Sequence, residues 1–348
     1  MANDSKFFVQ SFFISSFLIF SFIFFVNYWY DPAGIFSSGT SKVETRIAEY
    51  ILENGSLHVP LRNYDERAMK VALIEHLKSN PETVIIGSST ARLIGENTGV
   101  SNALNLSITG AGLEEPFALL LLALDKFSPK KIIIGLDPGQ LTNLGVDSVK
   151  KNESIKKRVD YIRSNYGIQS NQSESVNTGI LTQLVNGAYF IDSAKLLIFD
   201  LVTRVSGFRP CYDLYNNFCL FADGSASEQK RRLKKIKLSD KTPSLPVGWS
   251  EDNIHFLSAV IKDMSQRKIE VILFLPPVSP EVYLESGMIG RFDLLMNRLE
   301  SLAVENDIRI LGSYNPISFG CAEIDFLDET HASTACIKRI FSEEIHAS

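Results

Sequence analysis

Lys131–Leu136 reads KIIIGL, and Glu270–Leu275 reads EVILFL. Neither run alternates polar with apolar residues, as a strand with one wet face would. Both are continuous apolar runs, the pattern of strands buried on two faces in a parallel sheet covered by helices. The second is closed by Pro276 and Pro277. Working outward, Thr83–Ile86 is a short β-branched run ending in Gly87, and Leu113–Phe127 is strongly helical. Asp252–Arg267 has the spacing of an amphipathic helix, and a helix around Arg291–Glu305 and a strand at Ile308–Leu311 follow. This alternation predicts a doubly wound α/β sheet.

The alternation stops over about residues 142–248. Lys150–Lys157 is charged and polar, Gly179–Val205 reads as a long helix, and Lys230–Lys237 (KRRLKKIK) is the one basic run. We read this stretch as an insertion over or beside the sheet, where such folds place specificity. The basic run is either a solvated helix face or a contact for anionic lipid head groups or an anionic glycan. The chain of 348 residues carries 35 Lys and Arg against 40 Asp and Glu, a net charge of −5. No global basic field favours nucleic acid. The four cysteines form neither a CxxC pair nor a zinc-ligand cluster.

Nine of the 23 phenylalanines lie between Phe7 and Phe25, and the 24 residues from Phe7 to Tyr30 hold no charge. A helix needs roughly 20 apolar residues to cross a bilayer, so 7–30 is expected to be a transmembrane signal anchor. Tyr28, Trp29 and Tyr30 would sit at its interfacial edge. A cleavable signal peptide is the alternative, although no small-x-small cleavage site follows the run. Lys6 and the terminal amine ahead of the span, against Asp31 behind it, favour a cytoplasmic N-terminus. Cys211 and Cys219 bracket one short loop, and Cys321 and Cys336 bracket another. They are either two local disulfides of an oxidising compartment or four buried thiols. Residues 31–80 form a lead-in, from DPAG at Asp31–Gly34 to a helix near Asp65–Ser79, before an α/β domain spanning 81–348.

Three segments could carry chemistry. In VIIGSSTAR, Val84–Arg92, a buried strand runs into Gly-Ser-Ser and so places Ser89 at the carboxyl end of the sheet; the plainer reading is a serine that caps a helix. In FLDETHAS, Asp328 and His331 stand three apart, so that the carboxylate can fix the tautomer of an imidazole base. Of the five histidines, at 58, 76, 255, 331 and 346, only His331 has an acidic partner in such a motif. A surface histidine with no role is its alternative. In ALNLSITGAG, Ala103–Gly112, Gly110 would let a backbone N–H approach an oxyanion, or it is simply a turn.

The order of these segments resembles the SGNH (GDSL-like) hydrolase superfamily over roughly 82–137 and 251–335, with the insertion unmatched. The resemblance implies a flavodoxin-like parallel sheet flanked by helices. It matches Ser89, in GSS where GDS is commoner, to the nucleophile, Gly110 to the oxyanion glycine, and Asp328 and His331 to the acid and base. The family's third block carries an asparagine, whereas this chain reads GLDPGQL at Gly135–Leu141. Asp137 or Gln140 stands in its place, and of the two only Gln140 could donate a side-chain N–H. The oxyanion hole is therefore expected to comprise the Ser89 and Gly110 backbone donors with Gln140. The resemblance requires no metal or organic cofactor. With the N-terminal anchor it is similar to a bacterial envelope subgroup that modifies or moves acyl groups on surface glycans, often beside a membrane-bound acyltransferase. The implied function is a membrane-anchored serine esterase or O-acyltransferase at the inner membrane, facing the periplasm. A catalytically inactive envelope assembly or glycan-binding subunit is the alternative.

Overall fold

A computed structural model of the chain describes residues 2–30, 42–58, 65–142, 153–166, 219–223, 225–226 and 247–347, with scattered positions between 185 and 198. The DPAG segment, the basic run at 230–237, Cys211 and much of the long helix expected over 179–205 lie outside them.

The chain begins with α1 (Ala2–Tyr30), α2 (Lys42–Asn54), β1 (Ser56–His58) and α3 (Glu66–His76). The sheet region then supplies β2 (Thr83–Ile86), β3 (Ala103–Asn105), α4 (Glu114–Leu124) and β4 (Lys131–Gly135). After α5 (Glu153–Tyr166) and β5 (Cys219–Phe221) come α6 (Glu251–Gln266), β6 (Glu270–Leu275), α7 (Met288–Asn306), β7 (Arg309–Gly312) and α8 (Thr334–Ala347).

Among the described residues, five strands form one sheet in the order β3-β2-β4-β6-β7, all parallel. Renumbered by their succession in the sheet, this is the order 2-1-3-4-5 of flavodoxin-like folds. The need for unbroken apolar strands is visible in where each side chain goes. Val84, Ile86, Ile132, Ile134, Val271 and Leu273 enter the core on one face, with α4, α6 and α7. Ile85, Ile133, Ile272 and Phe274, one step out of phase, enter a second core against Ile337, Ile340 and Phe341 of α8. Successive strand residues point to opposite faces, so a strand covered on both sides must be apolar throughout.

Two further features hold the lead-in on this frame. α3 is apolar on two faces. Val71 and Ile74 join the main core, while Met69, Ala72 and Leu73 pack with Ile47 and Ile51 of α2 and with Leu57 and Leu220. Its Arg67 grips Glu115 at the start of α4 in a two-point pair, Nε–Oε1 at 2.7 Å and Nη2–Oε2 at 2.9 Å. β1 and β5 form a separate two-stranded antiparallel sheet, Ser56 opposite Phe221.

α5 lies inside the stretch where the strand–helix alternation stops, ahead of the long helix expected over 179–205. Ile155, Val159 and Ile162, spaced to share one helix face, are fully buried in the main core. α1 is continuous, and its span Phe7–Tyr30 has a mean hydropathy of 2.1, long and apolar enough to cross a membrane. Phe7, Phe8, Phe13 and Phe17 are exposed along it.

Candidate active site

The site begins with two glycines. Gly87 follows β2 at φ +154, and a Cβ there would lie 2.8 Å from Gly135 O. A Cβ on Gly135, at the end of the neighbouring β4, would lie 2.6 Å from Ala91 Cβ. Only with both positions bare can the chain drop a short 3-10 turn, Ser89–Ala91, onto the sheet end between β2 and β4. That is the point where the strand order reverses, and where open parallel sheets bind their ligands. Ser88 caps the turn, its side chain accepting from Thr90 N at 3.4 Å.

Asp137, just beyond β4, receives the two hydroxyls that flank Ser89. Ser88 Oγ donates to Asp137 Oδ2, and Thr90 Oγ1 donates to Oδ1 at 2.5 Å. Burial pushes the Asp137 carboxyl above its ordinary range, against the pull of these two hydroxyls and of nearby His331. Asp137 is therefore an acceptor that fixes the serine turn from both sides.

Gln140 is a correction to the sequence reading. Its Oε1 accepts from Asp137 N at 2.8 Å, and its Nε2 faces Ala111 O at 3.4 Å and Gly112 O at 3.5 Å. Both ends of the amide face surrounding backbone, so in this structure the side chain braces the loop after β4 and is not turned toward Ser89 as an oxyanion donor. The cause is local: a glutamine three residues past Asp137 folds back on its own turn.

His331 reaches the serine from the opposite end of the sequence. Its Nε2 lies 2.7 Å from Ser89 Oγ, and its Nδ1 lies 2.8 Å from Asp328 Oδ1 and 2.9 Å from Oδ2. Asp328 Oδ1 also accepts the backbone N–H of Thr330 and of His331, each at 3.0 Å. Burial works to raise the Asp328 pKa. The His331 hydrogen bond and charge and the two backbone donors overcome it, and hold the carboxyl well below the usual range. With Asp328 ionised at Nδ1, the imidazole keeps its proton there and presents a bare Nε2 to the serine hydroxyl. About a third of each of these two side chains is exposed (His331 32%, Asp328 33%), so the dyad is open to substrate.

The loop carrying the dyad is tied at several points. Leu327 N donates to His331 O at 2.8 Å, and Ser333 N to Asp325 O at 2.7 Å. Ser279, beyond β6, donates its N–H to Glu329 O at 2.9 Å. Cys321 and Cys336 form a disulfide that closes the loop at its base. Just beyond β7, buried Tyr314 donates its hydroxyl to Leu136 O at 3.1 Å, beside Asp137.

On the other side, the chain after β3 runs along the serine turn, with Ile108 N donating to Gly87 O at 3.1 Å. Two residues on, Gly110 sits exposed at φ +64 in a left-handed turn. Asn105 joins this segment to the turn: Nδ2 donates to Ala91 O at 2.9 Å and to Ile94 O at 2.7 Å, and Oδ1 accepts from Ser107 N at 2.9 Å. Sequence reasoning assigned no role to Asn105 or Arg92, and none to Asp137 as an acceptor. Only the asparagine, sitting alone among apolar residues in ALNL, left a trace in the sequence. Among the described residues no group of three His, Cys, Asp or Glu side chains is placed to hold a metal ion.

No family model and no curated protein matches the chain. Among solved structures, the chain is similar to a proposed acylhydrolase of Bacteroides fragilis NCTC 9343, at 10% identity and a TM-score of 0.37, over 80% of this chain and 94% of that one.

Proposed function

We propose that the protein is a membrane-anchored serine ester hydrolase or O-acyltransferase, acting through an acyl-serine on acyl groups of an envelope glycan or related surface polymer. The observation that carries the reading is the unbroken relay from Ser89 Oγ through both ring nitrogens of His331 to Asp328, at 2.7 and 2.8 Å. Its position at the carboxyl end of the parallel sheet supports the same conclusion.

In this mechanism His331 Nε2 takes the Ser89 proton as Oγ attacks the acyl carbonyl. The carbonyl π electrons move to oxygen, and the oxyanion is met by the backbone N–H groups of Ser89 and Gly110. Collapse breaks the bond to the leaving alcohol, which takes the proton back from Nε2. Water or a sugar hydroxyl then gives its proton to Nε2 as it attacks the acyl-serine carbonyl, and collapse breaks the bond to Oγ, which takes that proton back and restores Ser89. Whether the second nucleophile is water or sugar decides hydrolase against transferase, and both use the same residues.

The apolar α1 supports anchoring by residues 7–30, with the α/β domain of 81–348 on the periplasmic side of a bacterial inner membrane. In that setting a membrane-bound acyltransferase is the natural donor of acyl groups. One observation favours a second reading, an inactive envelope assembly or glycan-binding subunit. Asp137 accepts from Ser88 and Thr90, and the Gln140 amide faces surrounding backbone, so neither side chain is turned out as an oxyanion donor.

The test is turnover of p-nitrophenyl acetate by full-length protein in detergent, with and without a glycan acceptor. The enzyme reading predicts release of nitrophenol that Ser89→Ala and His331→Ala each reduce by about three orders of magnitude or more. Turnover that both variants retain would leave the binding subunit as the better account.

A further inference from the structure

We infer that Glu66, in the first turn of α3, is the positioning residue of the oxyanion loop, acting through Thr109 and Arg92 on Gly110. The inference deepens the serine-enzyme reading and rests on it.

Asp65 caps α3, accepting from Arg67 N at 2.9 Å and Ala68 N at 3.2 Å. The next side chain along, Arg67, is locked to Glu115 at the start of α4. The first turn of α3 is therefore held from both sides, and Glu66 projects from a rigid base.

From there its two oxygens divide the work. Oε2 accepts the backbone N–H of Thr109 at 2.9 Å, and Oε1 faces Arg92 Nε at 3.2 Å. Arg92 in turn donates from Nη1 to Thr109 Oγ1 at 2.5 Å. Thr109 is thus gripped at its amide and at its hydroxyl by one carboxylate–guanidinium unit. The side chains of Arg92 and Glu66 are only 15% and 11% exposed, so water and salt screen their pairing little, although Thr109 itself is exposed.

The next amide in the chain is that of Gly110. The direction of its N–H is set by the peptide plane joining Thr109 to Gly110. Glycine on its own leaves that plane free to rotate through many orientations. Ile108 is pinned to Gly87 and Thr109 to Glu66, so two consecutive residues upstream of the donor are fixed. Arg92 also lies three residues after Ser89, at the end of the serine turn. The unit therefore sets the spacing between the nucleophile turn and the oxyanion loop. Glu66 belongs to the segment between the membrane helix and the sheet, so that segment reaches the reaction centre.

The test combines a local and a kinetic measurement on the full-length protein in detergent. Amide hydrogen exchange is followed over 105–113 for wild type, Glu66→Ala, Glu66→Gln and Thr109→Val. The kcat and KM for p-nitrophenyl acetate, and the affinity for phenylboronate, whose serine adduct carries an oxyanion, are measured on the same proteins. The inference expects exchange at Thr109 to rise about tenfold or more in Glu66→Ala and less in Glu66→Gln. It expects kcat to fall about ten- to a hundredfold with KM within about twofold, boronate affinity to fall in step with kcat/KM, and Glu66→Gln to recover part of both. A Glu66→Ala, Arg92→Ala double variant should be no worse than about twofold below the worse single, because the two act as one unit. Unchanged exchange at Thr109 overturns the inference. So does raised exchange with kcat unaltered, or a loss of kcat that tracks a general loss of folding in every variant including Thr109→Val. A wild type with no turnover and no boronate binding overturns the serine-enzyme reading and this inference with it, whereas failure in the exchange arm alone overturns only the role of Glu66.

Discussion

Asp328 accepts from both the ring and the backbone of His331 and from Thr330 N, so one carboxylate fixes the loop and the tautomer at once. Asp328→Asn keeps the shape and loses the charge that holds the proton on Nδ1. We expect kcat for p-nitrophenyl acetate to fall by about 10³–10⁴ with little change in KM. The same residue sets a pH dependence. Its folded pKa is depressed, so its contribution to stability is fully present above the unfolded value of about 3.9 and is lost as pH falls toward the lower folded value. Thermal unfolding scanned downward from about pH 5 should show a slope that Asp328→Asn flattens. Asp137 has the opposite sign. Its folded pKa is raised, so its contribution is full below the unfolded value and lost as pH rises through the folded one. Asp137→Ala leaves the Ser88 and Thr90 hydroxyls without their acceptor, at about 1–3 kcal/mol for each one left unsatisfied, and loosens the serine turn. Urea unfolding and kcat should both register it. Ser89, Asp328 and His331 were legible because local motifs mark them, a serine after a buried strand and a D-x-x-H pair. Asp137 as a clamp, and Glu66 and Arg92 as a unit, were not. Their partners lie far away along the chain, and no local spacing encodes such a contact.

At the scale of elements, the core strands were readable because burial on both faces forces an unbroken apolar run, as in Ile132–Ile134 and Val271–Leu275. α5 was hidden by its charges. In ESIKKRVDYIRSNY three apolar residues at helical spacing make a complete buried stripe, while lysines and arginines fill the other face. β1 and β5 are three residues each and pair over a long separation, Ser56 with Phe221, so their sequences carry no pattern of their own. Elements also decide how tightly the site is held. The Cys321–Cys336 disulfide closes a loop of 15 residues that contains both Asp328 and His331. Chain entropy for a loop of that length gives a stabilisation of about 3 kcal/mol. Replacing both cysteines by alanine should lower the urea midpoint accordingly and reduce kcat more than it raises KM. Gly135→Ala, whose Cβ would meet Ala91 Cβ at 2.6 Å, should lift the serine turn from the sheet end. We expect about 1–3 kcal/mol of destabilisation and a loss of turnover larger than a stability effect alone would give.

At the scale of the whole molecule, an exposed apolar helix precedes a sheet whose open end carries a serine, a histidine and an aspartate in contact. If α1 is an anchor, full-length protein should stay with membranes through alkaline carbonate extraction, and a variant starting at residue 31 should be released. A natural N-terminus near Asp31 would identify a signal peptide in place of the anchor. The central claim concerns Ser89 itself, and the most direct measurement is mass-spectrometric mapping of the full-length protein after treatment with a fluorophosphonate. The account predicts one adduct, on the peptide containing Ser89, lost in Ser89→Ala and strongly slowed in His331→Ala. A wild-type protein left unmodified under conditions that label other serine hydrolases, or an adduct unaffected by His331→Ala, would contradict it.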